Sequence, residues 1–134
     1  MYCTIDDIRH MLDEHELVEL TDDEGSETID TAVVESAISD ACSLIDSYCA
    51  GRYSVPFDPV PTVIRQLAVD LAIYNLYSRR GDAVPENRVL RQQNALKLLD
   101  RIASGRITIG EASGGSVAYV SEKRRFTSSA MRDF

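Results

Sequence analysis

The sequence predicts a mainly α fold: three long helices, a short helical segment before them, and an extended C-terminal arm that can carry a short strand or β-hairpin. Three observations predict it. Apolar residues recur every three to four positions through residues 31–50, 61–80 and 85–103, the period of one helix face. Cap residues, prolines and glycines stand at the ends of those stretches, where helices start and stop. Past Gly105 the helical period gives out, and Ile107 and Ile109 alternate with polar neighbours. At 134 residues the chain suits one domain, with residues 1–105 as a helical body and 106–134 as the arm. A chain of this size buries about two-thirds of its unfolded surface, so one core is feasible.

Each element follows from local chemistry. Thr4 and Asp7 have capping-box spacing, and Ile5, Ile8, Met11 and Leu12 continue a helix from there to about Asp13. Leu17, Val18 and Leu20 give a second short helical turn before Thr21, and residues 22–27 lack any apolar residue and form a loop. Asp30 caps the first long helix, whose stripe runs through Val34, Ala37, Ile38, Ala41, Cys42, Ile45, Tyr48 and Cys49. Gly51 is expected to end it in a left-handed conformation. Pro56, Pro59 and Pro61 then enforce an extended connection. The second long helix opens at Pro61 or Thr62 and is apolar on more than one face, which marks it as the central one. Pro85 fits the first turn of the third. Its core stripe is Val89, Leu96, Leu99, Ile102 and Ala103, helped by Leu90 and Ala95, and its other face (Arg88, Arg91, Gln92, Lys97, Arg101) is basic. In the arm, Ser113-Gly114-Gly115-Ser116 reads as a hinge and Val117-Ala118-Tyr119-Val120 as a short strand. Some thirty residues without a core of their own imply either an arm that docks elsewhere or a frayed tail.

Charge is divided along the chain. Residues 1–50 hold fourteen acidic residues and one basic residue, Arg9, a net −13; residues 51–134 hold eight acidic and thirteen basic residues, a net +5, which together give −8. Folded so that the signs mix, the division means nothing further. Folded to opposite sides, it makes one copy complementary to the next, and such heterologous contacts close into rings or run into filaments. The overall acidity disfavours a general nucleic-acid binder. No run approaches the ~20 apolar residues of a membrane span, and the N-terminus lacks the pattern of a signal peptide, so an intracellular domain is expected. Cys3, Cys42 and Cys49 are odd in number, and the last two lie roughly 10 Å apart on a helix, so buried free thiols are expected.

No chemical motif is found. His10 and His15 are five residues apart and face different ways on a helix. A calcium loop begun at Asp22 would need glycine at its sixth position and glutamate at its twelfth, where Glu27 and Val33 stand. Gly114-Gly115 does not open a helix, so it is no phosphate cradle, and no Ser or Cys has a motif-linked histidine. Tyr48, Tyr53, Tyr74 and Tyr77 fit core positions with a bonded hydroxyl. The expectation is a protein that is not an enzyme and takes no cofactor or metal.

The order of several segments resembles a known family. These are Thr4-Ile5-Asp6-Asp7-Ile8, Glu16 to Asp22, Ile45 to Tyr53 with the prolines after it, Ile64 to Tyr77, and the close from Arg125-Phe126 to Phe134. Together they resemble a family of small structural proteins of Mu-like bacteriophages and prophages, similar to the head–tail connector, or head-completion, proteins of tailed phages. The resemblance implies a helical subunit assembling as a ring of about twelve copies, by analogy with the portal it joins. Its partners would be further copies, the portal and the tail or neck proteins, with at most passive contact with packaged DNA and none with membrane. It would assemble in the bacterial host cytoplasm and end in the virion neck. On this reading Arg88, Arg91 and Arg101 meet the acidic face of an adjacent copy, and the arm, with Lys123, Arg124, Arg125, Phe126 and Phe134, reaches a neighbour or the portal. The acidic first fifty residues would suit a lumen that must let DNA slide. Two other readings stay open: an acidic interaction module, such as a DNA-mimic inhibitor of a nucleic-acid-binding protein, and a small metal-dependent enzyme using residues 22–27.

Overall fold

The computed structural model describes residues 1–81 and 83–109, and among them the regular structure is entirely helical. The helices are α1 (Ile5–Arg9), α2 (Glu14–Thr21), α3 (Thr31–Cys49), α4 (Thr62–Ser78) and α5 (Glu86–Ser104). The expected strand at 117–120 lies outside the described residues.

Caps set the N-terminal boundaries. Thr4 and Asp7 form the reciprocal capping box: the Asp7 N–H donates to Thr4 Oγ1 and the Thr4 N–H to the Asp7 carboxylate. This helix stops at Arg9 rather than Asp13, because the Asp13 carboxylate accepts the Glu16 N–H at 2.8 Å and starts α2 instead. Asp30 caps α3 by accepting from Ala32 and Val33. Gly51 does not take the left-handed conformation expected of it. The chain leaves α3 through Ala50 at φ −61°, and the Arg52 and Tyr53 N–H groups both donate to the Cys49 carbonyl. The left-handed stop belongs to Gly105, at φ 85° after α5. Pro61 and Pro85 each stand one residue before their helix, where a missing N–H costs nothing.

The three long helices pack as an antiparallel set with α4 in the middle. Eight of its residues are buried, among them Ile64, Leu67, Leu71, Ile73 and Leu76. Asn75 on α4 donates to the Ala37 carbonyl of α3, so even its polar group joins the helices. On α5 the buried residues are Ala95, Leu99 and Ile102, with Leu96 and Leu98 half-buried beside them. Leu90, expected in the core, is 56% exposed. Helical phase explains it: Leu90 shares a line with Asn94, Lys97 and Arg101, away from the buried stripe.

Two polar residues fasten the N-terminal segment. Thr21 is fully buried; its hydroxyl donates to the Leu17 carbonyl at 2.8 Å and accepts the Asp30 N–H at 3.0 Å. Tyr2, 4% exposed, donates its hydroxyl to Asp46 and accepts the Phe57 N–H at 3.0 Å. Its ring meets Phe57, which meets Tyr53, each pair with centroids 5.8 Å apart. The packed body also continues past Gly105: Ile107 is half-buried, Ile109 is buried, and the Ile109 N–H points to the Tyr53 hydroxyl at 3.4 Å.

Candidate interaction surfaces

The antiparallel arrangement gives the bundle two ends of different chemistry. At the first, the C-termini of α2 and α4 meet the loop 22–30 and the start of α5. The Arg79 guanidinium holds the Asp23 carboxylate in a fork, with contacts of 3.1 and 2.7 Å, and Arg80 adds a third at 2.6 Å. Arg79 also donates to the Leu20 carbonyl. Arg79, then Arg80, hold the Asp23 carboxyl down at about 2. Asp22 is lowered too, chiefly by the Glu27 N–H and then by those of Ser26 and Glu24. Two of the four carboxylates in the loop 22–27, Asp22 and Asp23, are therefore committed to partners in their own chain. Among the described residues, no group of three or more His, Cys, Asp or Glu side chains is placed to hold a metal ion. His10 and His15 are exposed.

At the second end, α3 stops, α4 starts and α5 stops. The exposed bases Lys97, Arg101 and Arg106 follow one another around the last turns of α5, where the helix dipole favours cations. Arg52 joins them from α3's exit: its guanidinium lies so close over Gly105 that an added Cβ would meet its Cζ at 2.7 Å. None of these four is within 4.0 Å of a carboxylate among the described residues, with Asp100 the acid interspersed in sequence.

The residues singled out from sequence are thus dispersed. Arg101 stands exposed at the basic end. Arg88 is half-buried and donates to the Met11 carbonyl at 3.1 Å, and Arg91 pairs with Asp70 of α4 at 3.3 Å. Both are engaged inside their own chain. Lys123, Arg124, Arg125, Phe126 and Phe134 lie outside the described residues. Arg106 and Arg52 were missed by sequence reasoning. Arg106 was visible as a base flanking the α5 stop, whereas no local pattern announces that Arg52 arrives there.

Three further titratable side chains, Tyr77, Cys3 and Cys49, lie within the packed body. Tyr77 on α4 donates to Glu16 of α2, and burial followed by that bond raises its hydroxyl to about 12. Burial raises the Cys3 thiol to about 12, and it raises Cys49 as well; all three cysteines are free. No described helix is long and apolar enough to cross a membrane.

Surface hollows are shallow. Two of them, about 430 Å³ each, lie side by side along α4 between α1 and α5. A third, about 160 Å³, sits between α3 and the end of α4.

Comparison with known proteins gives this body a lineage. The chain is similar to the Mu-like prophage FluMu protein gp36 of Haemophilus influenzae, 33% identical over 86 residues, or 63% of this chain. The match covers 58% of that relative's length. A family model described as bacteriophage Mu, Gp36 matches residues 2–128, taking in all five helices, both fastened ends and most of the segment beyond Ile109. The chain belongs to the bacteriophage Mu Gp36 family.

Proposed function

We propose that the chain is a structural, non-catalytic subunit of a phage particle: one copy of a head–tail connector ring set between portal and tail. The observation that carries the reading is the unmatched charge at the end of α5. Arg52, Lys97, Arg101 and Arg106 lack carboxylate partners among the described residues, while Asp13, Glu24, Glu27 and Asp30 are exposed on α2's start and the loop before α3. A basic patch and an acidic patch at different places on one subunit support heterologous contacts, which close into a ring when the rotation allows. Membership of a Mu-like phage family supports placing that ring in a virion. Portal and tail proteins would be its neighbours, DNA at most a passenger through its channel.

Native mass spectrometry of the protein with and without its portal tests this. The expected result is a defined multimer that recedes as salt rises from 0.05 to about 0.5 M, because surface charge pairs are screened. Arg101→Glu with Arg106→Glu should prevent it. A protein that stays monomeric at high concentration and ignores its portal overturns the reading, and recovery of only a nuclease or repressor from host lysate would favour the DNA-mimic alternative.

A further inference from the structure

We propose that the exposed side of α3 on one copy receives the exposed side of α5 on the next, the two helices running antiparallel with Leu44 against Leu90. The inference rests on the ring reading above and assigns the two faces that meet. Among the described residues four large apolar side chains are exposed, and only Leu44 and Leu90 stand on long helices. The charges around these two are opposite in sign. α3 holds no Lys, Arg or His, and its exposed Glu35 and Asp40 have no base within 4.0 Å among the described residues. Arg79 shares a hollow with Asp40, but its guanidinium is turned to Asp23 and the Leu20 carbonyl. On α5, Leu90 is in line with Asn94, Lys97 and Arg101, all exposed, and neither base has a carboxylate partner among the described residues.

One register satisfies all of these groups. Exposed Ser36, Asp40 and Leu44 form one row on α3 and exposed Glu35, Ser39, Ser43 and Ser47 the next, with a groove between them. A row of side chains from a second helix packs into such a groove. With Leu44 set against Leu90, Asp40 lies about 6 Å and Glu35 about 13.5 Å toward the start of α3. On an antiparallel α5, Lys97 lies about 10.5 Å and Arg101 about 16.5 Å along in that same direction. Side chains lean toward the N-terminus of their own helix, so the acids lean onward and the bases lean back. That closes both offsets, bringing Lys97 to Asp40 and Arg101 to Glu35. A parallel arrangement would carry both bases toward the end of α3, where the like-charged Arg52 stands exposed. Within one chain α3 and α5 touch each other as well as α4, so their exposed sides point apart and the contact passes from copy to copy.

Charge reversal in the full chain tests it, read by native mass spectrometry with the portal present at about 0.05 M salt. Glu35→Lys with Asp40→Lys makes one protein and Lys97→Glu with Arg101→Glu a second; all four positions are exposed, so the core is undisturbed. Each alone should need at least about tenfold more protein than the native chain to assemble. Mixed, the two should assemble again with both chains in equal number, because each supplies the charge that the other's reversed face requires. Leu90→Ala should raise the concentration needed about tenfold as well. A multimer that survives the α3 reversal but not the α5 reversal, or a mixture that stays apart, overturns this inference and leaves the ring standing. A native protein that never assembles, even with its portal, overturns both.

Discussion

At one end of the bundle, charges of both signs meet inside the chain; at the other, four bases stand without a carboxylate partner among the described residues. The first end joins segments far apart in sequence through Asp23, Arg79, Arg80 and the buried Thr21 hydroxyl. The second is held by Tyr2, Phe57 and Tyr53 rings, with Arg52 laid over Gly105. The difference teaches where the acidic and basic halves of the sequence cancel and where they do not. Cancellation at the first end takes up Asp23, Arg79 and Arg80 and leaves Glu24, Glu27 and Asp30 exposed beside them. At the second end, stability comes from packing, and the charge remains available for contact.

If packing holds the second end, the largest loss should come from Tyr2→Ala, about 3–5 kcal/mol in urea unfolding, through the cavity and the lost ring contacts. Tyr2→Phe separates ring from hydroxyl: it keeps the packing but leaves the Asp46 carboxylate and Phe57 N–H without their partner, at about 1–3 kcal/mol. Equal losses for the two variants would mean that the hydroxyl, not the rings, secures this end.

Thr21→Val probes the first end at a smaller scale. The shape is nearly kept, but the buried Asp30 N–H loses its acceptor, at a cost of about 1–3 kcal/mol. Because Asp30 also caps α3, hydrogen exchange should quicken first in residues 31–34. A loss exceeding that of Tyr2→Ala would reverse the ranking of the two ends.

Much of the first layer of this structure was legible because it is local. The Thr4–Asp7 box, the Asp30 cap and the three long helices depend on neighbours within four residues, and all are where the sequence puts them, although on α5 only Ala95, Leu99 and Ile102 of the expected stripe are buried. Leu90 was misplaced because a stripe with spare apolar residues leaves its rotational phase undecided until α4 packs against it. Gly51 was misread because a glycine after a helix permits a left-handed exit without requiring one. Of the interface candidates among the described residues, Arg101 is left exposed without a carboxylate partner, while Arg88 and Arg91 turn to Met11 and Asp70. Nothing local separates those three arginines; what separates them is which half of α5 lies against α1 and α4. Tyr2 and Arg52 act over separations of about fifty residues, beyond the range of any spacing rule.

The smallest expected effect is also the one that separates the ends most cleanly, by pH. Asp23 is held at about 2, below its ordinary 3.8, so the native state binds its proton less readily than the unfolded chain. Its stabilisation is complete above the ordinary value and fades as pH falls toward 2. The Tyr2 hydroxyl is raised above its ordinary 10.0, first by burial and then by its bond to Asp46, so its stabilisation is complete below pH 10 and fades as pH rises beyond it. The two ends should therefore loosen at opposite extremes. Urea titrations should show Asp23→Asn and the native protein converging in stability from pH 5 toward pH 2, while Tyr2→Phe and the native protein stay apart there and converge only above pH 10. Tyr77, raised to about 12 beside Glu16, weakens the native protein in alkali as well, but it is present in both members of the Tyr2 pair and cancels from their difference. A Tyr2 pair that stays equally far apart above pH 10 would mean that the tyrosine proton contributes nothing to the second end.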